Sequence, residues 1–307
     1  MELYKKELAD HLNSKRFLLI FALLFFVSAV STINAVSNIS ETITEETKFV
    51  FLKLYSTGSD SLYSFGTFLA YLGPLAGIAL GFDAINNERS LGTLNRLSSQ
   101  PIYRDSIINA KFMAGATVIF CTVMFMGLCV SGYGLIMIGI PPSAEEIVRA
   151  LVFLLLTVVY ISFWLALATA FSVICRHAAT SAIAGIAIWL FVTMFFGLIT
   201  RGIANAMYPV SDNSDTARVV ENFTLYLQLS RFSPYFLFTE AATTILDPSI
   251  RSIGIVTTEQ MSGALSAPLD LMQSMLLIWP HLAVTVALAI VSFAVAYVKF
   301  MRQEIRS

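Results

Sequence analysis

Histidine and cysteine, which commonly act as metal ligands or catalytic groups, are few and scattered in this sequence. The three histidines, His11, His177 and His281, are far apart along the chain and fall in different predicted segments. The three cysteines, at positions 121, 129 and 175, lie in or beside apolar runs and form no C-x-x-C pair, which argues against a disulfide framework. We therefore predict no catalytic site and no metal site on this chain.

Motifs that bind nucleotides or build hydrolytic sites are also absent. The sequence contains no G-x-x-x-x-G-K-[ST] phosphate loop, no G-x-G-x-x-G turn, no nucleophile elbow and no H-E-x-x-H pair. We therefore expect no cofactor on this chain and no ATP hydrolysis by the chain itself.

The stretch from residue 82 to 111 is the long polar segment that stands between two apolar runs. It carries an apolar stripe of leucines at every third position, flanked by charged side chains: Leu91, Leu94 and Leu97, with Glu88, Arg96 and Arg104. This spacing predicts a short helix with one apolar ridge. Leaving a leucine in water costs roughly 1.5 to 3 kcal/mol. We predict that another protein covers the ridge, although packing on the membrane surface or on the third span is the alternative.

Composition places the elements around this segment in a membrane. Of 307 residues, 57% are hydrophobic and only 13% are charged, and the mean hydropathy is +0.76. A soluble domain carries about a quarter charged residues. The formal net charge of -1 argues against a nucleic-acid partner. The sequence predicts an all-α integral membrane protein.

Apolar runs of bilayer length predict six transmembrane helices in a single transmembrane domain, 1–307. The predicted spans are about 17–36, 62–82, 112–138, 147–174, 181–199 and 275–298. Residues 1–16 fit an amphipathic interface helix, with an ordinary charged N-terminus as the alternative. Most of the 19 lysines and arginines fall in segments that are inside if the N-terminus is cytoplasmic. We expect both termini in the cytoplasm.

The predicted spans hold almost no ionisable groups. His281 is the one candidate, and its ordinary interpretation is an interfacial side chain. Ion-driven carriers usually keep carboxylates or arginines at membrane depth, so the energy should come from elsewhere. Gly73, Gly77 and Gly81 repeat every four residues along the second span, which favours close helix packing, either at a subunit contact or inside one bundle.

The region from 201 to 274 is predicted to lie outside and to contain two helices. Apolar residues at helical spacing follow Val219, and Ser233-Pro234 then opens the run YFLFTEAATTIL. That run is shorter than the roughly 20 residues needed to cross a bilayer, so we predict a re-entrant or interfacial helix. Glu240, in its middle, is either on a solvated face or at the outer mouth of a transport path.

Several motifs resemble the permease subunits of the ABC type-2 exporter family. The run from Glu88 through Gly92-Thr93-Leu94 to Leu97, Pro101, Arg104 and Lys111 is similar to the E-x-x-x-G-T-L…L…P…R…K motif of these permeases. Ser233-Pro234 with Glu240 and Leu246-Asp-Pro248 resembles the segment between their fifth and sixth spans. The chain looks most similar to the subgroup of copper-maturation permeases that serve nitrous oxide reductase.

The resemblance implies a half-transporter in the prokaryotic inner or plasma membrane. It would pair with a second permease copy or a paralogue, and two separate cytoplasmic ABC ATPase subunits would bind ATP and Mg. The coupling surface would include Glu88, Leu91, Leu94, Arg96, Leu97 and Arg104, and the outer re-entrant helix would carry Pro234 and Glu240. Membrane lipid is the remaining partner. The alternatives are a membrane-embedded enzyme or assembly factor, and an ion-coupled secondary carrier.

Overall fold

The computed structural model describes residues 2–42, 49–58, 63–90, 92, 103–210, 215–249 and 269–303. Within these ranges the chain is helical and contains no strand, so the all-α prediction is confirmed. Six helices are long and apolar enough to cross a membrane, which confirms the predicted number of spans. They are Lys15–Ile39, Phe65–Ser90, Arg104–Ile138, Ala144–Ile174, Ala178–Met207 and Leu271–Arg302.

We number the helices in chain order. They are α1 Glu2–Leu12, α2 Lys15–Thr42, α3 Val50–Ser56, α4 Phe65–Gly81, α5 Asn86–Ser90, α6 Arg104–Ile138, α7 Ala144–Ile174, α8 Ala178–Leu190, α9 Phe196–Met207, α10 Thr216–Ser230, α11 Pro234–Leu246 and α12 Leu271–Arg302. A π-helical turn, Phe191–Phe195, joins α8 to α9 within one span. We call the two ends of the bundle the α1 end and the α11 end.

Helix α1 is present, as the amphipathic pattern predicts, and it packs on the bundle. The Tyr4 hydroxyl lies 2.9 Å from the Thr117 hydroxyl of α6. The chain breaks at Asn13-Ser14, where the Ser14 hydroxyl accepts a hydrogen bond from the Phe17 amide at the start of α2. This side chain satisfies one of the amides that a helix N-terminus leaves open.

Helix α3 is a short helix between the first two spans that packs into the bundle. Its side chains Leu52, Leu54 and Tyr55 are fully buried at the α11 end. The Glu146 carboxylate of α7 accepts a hydrogen bond from the Phe51 amide and also from the Ser143 amide. One acidic side chain therefore caps two helix N-termini, where a negative charge is favourable.

The packing of α4 on α7 forms the centre of the bundle, and the three predicted glycines lie in it. A Cβ atom at Gly77 would lie 2.6 Å from the Ile161 carbonyl oxygen, and one at Gly81 would lie 2.8 Å from the Leu165 carbonyl oxygen. A Cβ at Gly73 would lie 2.9 Å from the Ile161 side chain. The structure thus places these glycines at a contact within one bundle, where they let two backbones approach closely.

Candidate functional site

The predicted coupling segment lies only partly within the described residues. Leu91, Leu94, Arg96 and Leu97 fall outside them, whereas Glu88 on α5 and Arg104 on α6 are described. Gly92 is also described and has a φ of 67°, which a glycine adopts without strain just after the end of α5. The structure therefore defines how the segment from 93 to 102 is attached on its two sides.

A cluster of buried charges fixes the first side of this segment. The Lys111 ammonium donates to a Glu7 carboxylate oxygen at 2.9 Å and to a Glu88 carboxylate oxygen at 3.2 Å. The side chains of Glu7 and Lys111 are each 7% exposed and that of Glu88 is 15% exposed. The cluster ties α1, α5 and α6 together, so Glu88 faces the bundle as well as flanking the predicted coupling ridge.

The start of α5 is also fastened to α7. The Ser172 hydroxyl oxygen accepts hydrogen bonds from the backbone amides of Ile85 at 2.9 Å and Asn86 at 3.1 Å. These amides belong to a turn and a first helical position, where no intrahelical partner exists. A displacement of α5 therefore acts directly on the last turn of α7.

Gln303, at the end of α12, binds both flanks of the segment. Its side-chain oxygen accepts from the Arg89 guanidinium at 2.6 Å, and its backbone oxygen accepts from the Arg104 guanidinium at 2.9 Å. Its side-chain nitrogen donates to the Val173 backbone oxygen at 2.8 Å. We call this arrangement the Gln303 node. Sequence reasoning missed Gln303 because a glutamine in a short polar tail carries no local sign of a tertiary contact. It missed Arg89 because the partner of Arg89 is this distant glutamine.

At the α11 end, Glu240 belongs to an ion-paired group rather than to a solvated surface. Its two carboxylate oxygens accept from the Arg231 guanidinium at 2.9 and 3.0 Å. One of these oxygens lies 2.6 Å from Nε2 of His281 on α12. The Glu240 side chain is 13% exposed and that of His281 is 7% exposed. The low exposure of Glu240 argues against the solvated-face interpretation, whereas the position of His281 relative to a membrane interface stays a prediction.

The ion pairs outweigh the effect of burial on the acidity of Glu240. Burial raises the pKa of this carboxyl, but the hydrogen bonds from His281 and Arg231 and the charge of Arg231 lower it more, so its pKa lies below the usual value. Glu240 is therefore ionised at neutral pH. A carboxylate with two cationic or polar partners locks α11 against α12.

We expect Glu240→Gln to lower the thermal stability of the purified chain. Hydrogen bonds to a charged group contribute about 1.5 to 3 kcal/mol. Because the pKa of Glu240 is lower in the folded chain, its contribution is complete above the unfolded value of about 4.3 and is lost as the pH falls through the folded value. The melting difference between wild type and Glu240→Gln should therefore shrink in acid. Glu221→Gln, at an exposed position of α10, is the control. If the wild type, Glu240→Gln and Glu221→Gln all melt at the same temperature at pH 7, Glu240 does not hold α11 against α12.

Arg149 joins three elements at the same end. It lies in the second turn of α7, is fully buried, and pairs with Glu145 at 2.8 Å. Its guanidinium also donates to the backbone oxygens of Ile245 and Leu269 and to the Ser274 hydroxyl. The guanidinium thus fastens the end of α11 and the start of α12 to α7, with its charge balanced by Glu145.

The start of α11 is connected to the fifth span. Ser233 caps the helix by accepting a hydrogen bond from the Phe236 amide, and Pro234 takes the first helical position, as the sequence predicts. The Ser233 hydroxyl also lies 3.2 Å from the backbone oxygen of Val192, in the π-helical turn. π-Turns leave backbone groups without regular intrahelical partners and are frequent at functional sites. Helix α11 is therefore attached at one side to the fifth span and at the other to the sixth.

The described residues include no group of three or more His, Cys, Asp or Glu side chains that could hold a metal ion.

A family model described as "ABC-2 family transporter protein" matches residues 1–305. The chain belongs to the ABC-2 transporter family. No curated protein matches it. The ABC-2 family match covers almost the whole chain and confirms the resemblance seen in the sequence, but it does not confirm the copper-maturation subgroup.

Membership of the ABC-2 family makes this chain a transport membrane component that is not itself catalytic. Its six apolar helices agree with a multi-pass membrane protein. In this ABC-2 chain, polar contacts concentrate at the two ends of the bundle: the Gln303 node and the Glu7–Lys111–Glu88 cluster at the α1 end, and the Arg231–Glu240–His281 and Arg149 groups at the α11 end.

Proposed function

We propose that this chain is the membrane-spanning permease subunit of an ATP-driven exporter. Two permease subunits, identical or paralogous, would form the translocation path, and two separate ATPase subunits would bind ATP and Mg. The observation that carries this proposal is the family match over residues 1–305 on a chain whose sequence has no phosphate loop. A permease without its own nucleotide site requires a partner that supplies one.

The segment from Glu88 to Arg104 is the proposed contact with the ATPase. Its leucine ridge, Leu91, Leu94 and Leu97, would enter an apolar cleft of the partner, and Arg96 would lie at the rim. The structure supports this proposal by joining both flanks of the ridge to the end of α12. Arg89 precedes the ridge and Arg104 follows it, and both bind Gln303. A push on the ridge would act on the ends of α7 and α12 at once.

Helix α12 would carry this motion to the α11 end. It is continuous from Leu271 to Arg302, and at the opposite end His281 contacts Glu240 of α11. The re-entrant helix α11, with Pro234 at its start, would then open or close the outer mouth of the path. Ionised Glu240 would be a gate contact, held by Arg231 and His281 in the structure described and released in the alternative state.

The α1 end would face the cytoplasm of a prokaryotic cell, and the α11 end would lie outside. The basic residues favour this orientation, because lysines and arginines concentrate in short cytoplasmic segments. A single cysteine at Ser143, placed in a cysteine-free chain, should react with an impermeant thiol reagent in intact cells. If a cysteine placed at Ser98 reacts instead and one placed at Ser143 does not, the orientation is the reverse of the one proposed.

Gln303→Ala should uncouple ATP hydrolysis from transport. The change removes the bonds to Arg89 and to the Val173 carbonyl but leaves the helix and the proposed ATPase contact in place, so the ATPase should still co-purify with its basal activity. Transport-stimulated hydrolysis should fall severalfold. Gln273→Ala, at an exposed position near the other end of α12, is the matched control. Full stimulation in Gln303→Ala would show that the node does not transmit motion.

A further inference from the structure

A polar cavity of about 360 Å³ lies at the α1 end, between α1, the start of α2, the end of α4, α5 and α6. A water molecule takes up about 30 Å³ of liquid, so the cavity has room for a small polar group. Charged side chains of both signs line it, among them Glu7, Asp10, Lys15, Arg16 and Asp83. Arg16 and Asp83 pair with each other across one side.

Two opposite charges in this wall lack full partners within the described ranges. The Glu7 residue is 6% exposed, and its Oε1 atom accepts no hydrogen bond there. The half-exposed Lys6 ammonium lies 3.8 Å from that atom, and Lys111 binds the other oxygen of the carboxylate. Lys15, at the start of α2, has no ion pair among the same residues. A buried carboxylate oxygen without a donor is costly, and a ligand with an ammonium group would satisfy it.

The cavity becomes apolar on its side toward the membrane. Phe17, Ile20 and Leu80 line both the polar cavity and an adjoining apolar pocket, which continues along α2 and α6 past Leu24 and Val118. The first turn of α2 also presents the exposed side chains Leu18 and Leu19 to the surroundings. The apolar pocket holds only about 20 Å³, so a molecule with its charged head in the polar cavity would lay an apolar tail outside this pocket, along the exposed face of α2.

His11 does not supply the missing positive charge in the wall. Burial lowers the pKa of this imidazole, against the opposing effect of the Glu7 carboxylate, so the ring is neutral at pH 7. The groups that face it from the packed elements are Glu7 and Asp10 on α1, Asp83 beyond α4 and Lys111 on α6. The place opposite Glu7 Oε1 is therefore open to an external cation.

We propose that this cavity binds the zwitterionic head group of a membrane phospholipid, with the ammonium against Glu7 and the phosphate against Lys15. A head group that carries only negative charge would satisfy Lys15 but face the Glu7 carboxylate. A free zwitterion would satisfy both charges but leave the apolar mouth at Phe17 and Ile20 unfilled. The bound lipid would hold α1 against α2 and α6. The inference rests only on the chain lying in a membrane and does not depend on an ATPase partner.

Native mass spectrometry of the purified chain in detergent tests the proposal. Phosphatidylethanolamine should bind about tenfold more tightly than phosphatidylglycerol with the same acyl chains, the factor that about 1.4 kcal/mol of one charged contact gives. Glu7→Gln should remove most of this preference. Lys15→Gln should weaken the binding of both lipids, because both carry the phosphate, and keep the preference between them. Lys15 is exposed at the helix start, so its replacement should leave the fold intact even if Glu7→Gln weakens the contact with Lys111.

Matched controls are available on the same helix. Glu2→Gln and Lys5→Gln alter exposed charges of α1 outside the cavity and should keep the preference of the wild type. Equal binding of the two lipids by the wild type, or binding of both lipids by Lys15→Gln as tight as that of the wild type, would overturn the proposal. Binding of glycerophosphoethanolamine as tight as that of the intact lipid would overturn the assignment to a lipid.

Discussion

Lys111→Met is expected to cause the largest loss of stability among the substitutions considered for this chain. The change keeps most of the apolar stem of the side chain but removes the ammonium that binds both Glu7 and Glu88. Breaking a buried ion pair from one side costs about 3 to 5 kcal/mol because a charge is left in a poorly solvated place. The purified protein should melt well below the wild type, and α1 should become accessible to protease in detergent.

Two further variants separate this effect from simple loss of a lysine. Lys5→Met removes an exposed cation of α1, whose surface pair with Glu2 is worth about 0 to 1 kcal/mol, and should change melting little. Adding Glu7→Gln to Lys111→Met should restore part of the stability, because it removes a buried charge. If Lys111→Met melts like the wild type, or the double variant is less stable than Lys111→Met, the cluster does not hold α1 to the bundle.

Leu94→Asp is expected to release the ATPase subunit or to uncouple its hydrolysis from transport. Leu94 is the middle residue of the proposed ridge, and burying a leucine at an interface contributes roughly 1.5 to 3 kcal/mol. A carboxylate in the same cleft would be buried without a partner, which costs more than the lost contact. The six spans should still insert and the permease should still pair, since the sequence predicts that this segment lies outside the membrane.

Asn95→Asp is the matched control for this experiment. It adds the same charge one residue away, off the ridge that the spacing of Leu91, Leu94 and Leu97 defines. Co-purification of the ATPase and transport-linked hydrolysis should both be normal in Asn95→Asp and impaired in Leu94→Asp. If Leu94→Asp is normal in both, the ridge faces lipid or the bundle, and the coupling surface should be sought near Cys175 to Thr180 or in the first sixteen residues.

Elements that depend on local pattern could be predicted from the sequence. The six spans follow from apolar length, and the beginning of α11 follows from Ser233-Pro234, because a capping hydroxyl and a proline at the first position are local signals. Helix α3 could not be predicted in this way. Its seven residues include Lys53 within a polar loop, and its burial depends on contacts with α4, α6 and α7 that arise only in the folded bundle.

The polar contacts at the candidate sites could not be predicted because their partners are distant in sequence. Glu240 and His281 are 41 residues apart, and Arg104 and Gln303 are 199 residues apart. A single sequence shows the charges but not which of them meet. Arg149 illustrates the same limit: it stands at the start of an apolar run, and only the fold brings Ile245, Leu269 and Ser274 to its guanidinium.

The most direct test of the proposed function is to purify the tagged wild-type chain from its native membrane in mild detergent and identify what accompanies it. We expect an ATPase that carries a phosphate loop, in equal number to the permease chains, with hydrolysis that transport substrate stimulates in reconstituted vesicles. Recovery of the chain without any such ATPase, from membranes in which ATP-independent transport by the chain is intact, would contradict the account.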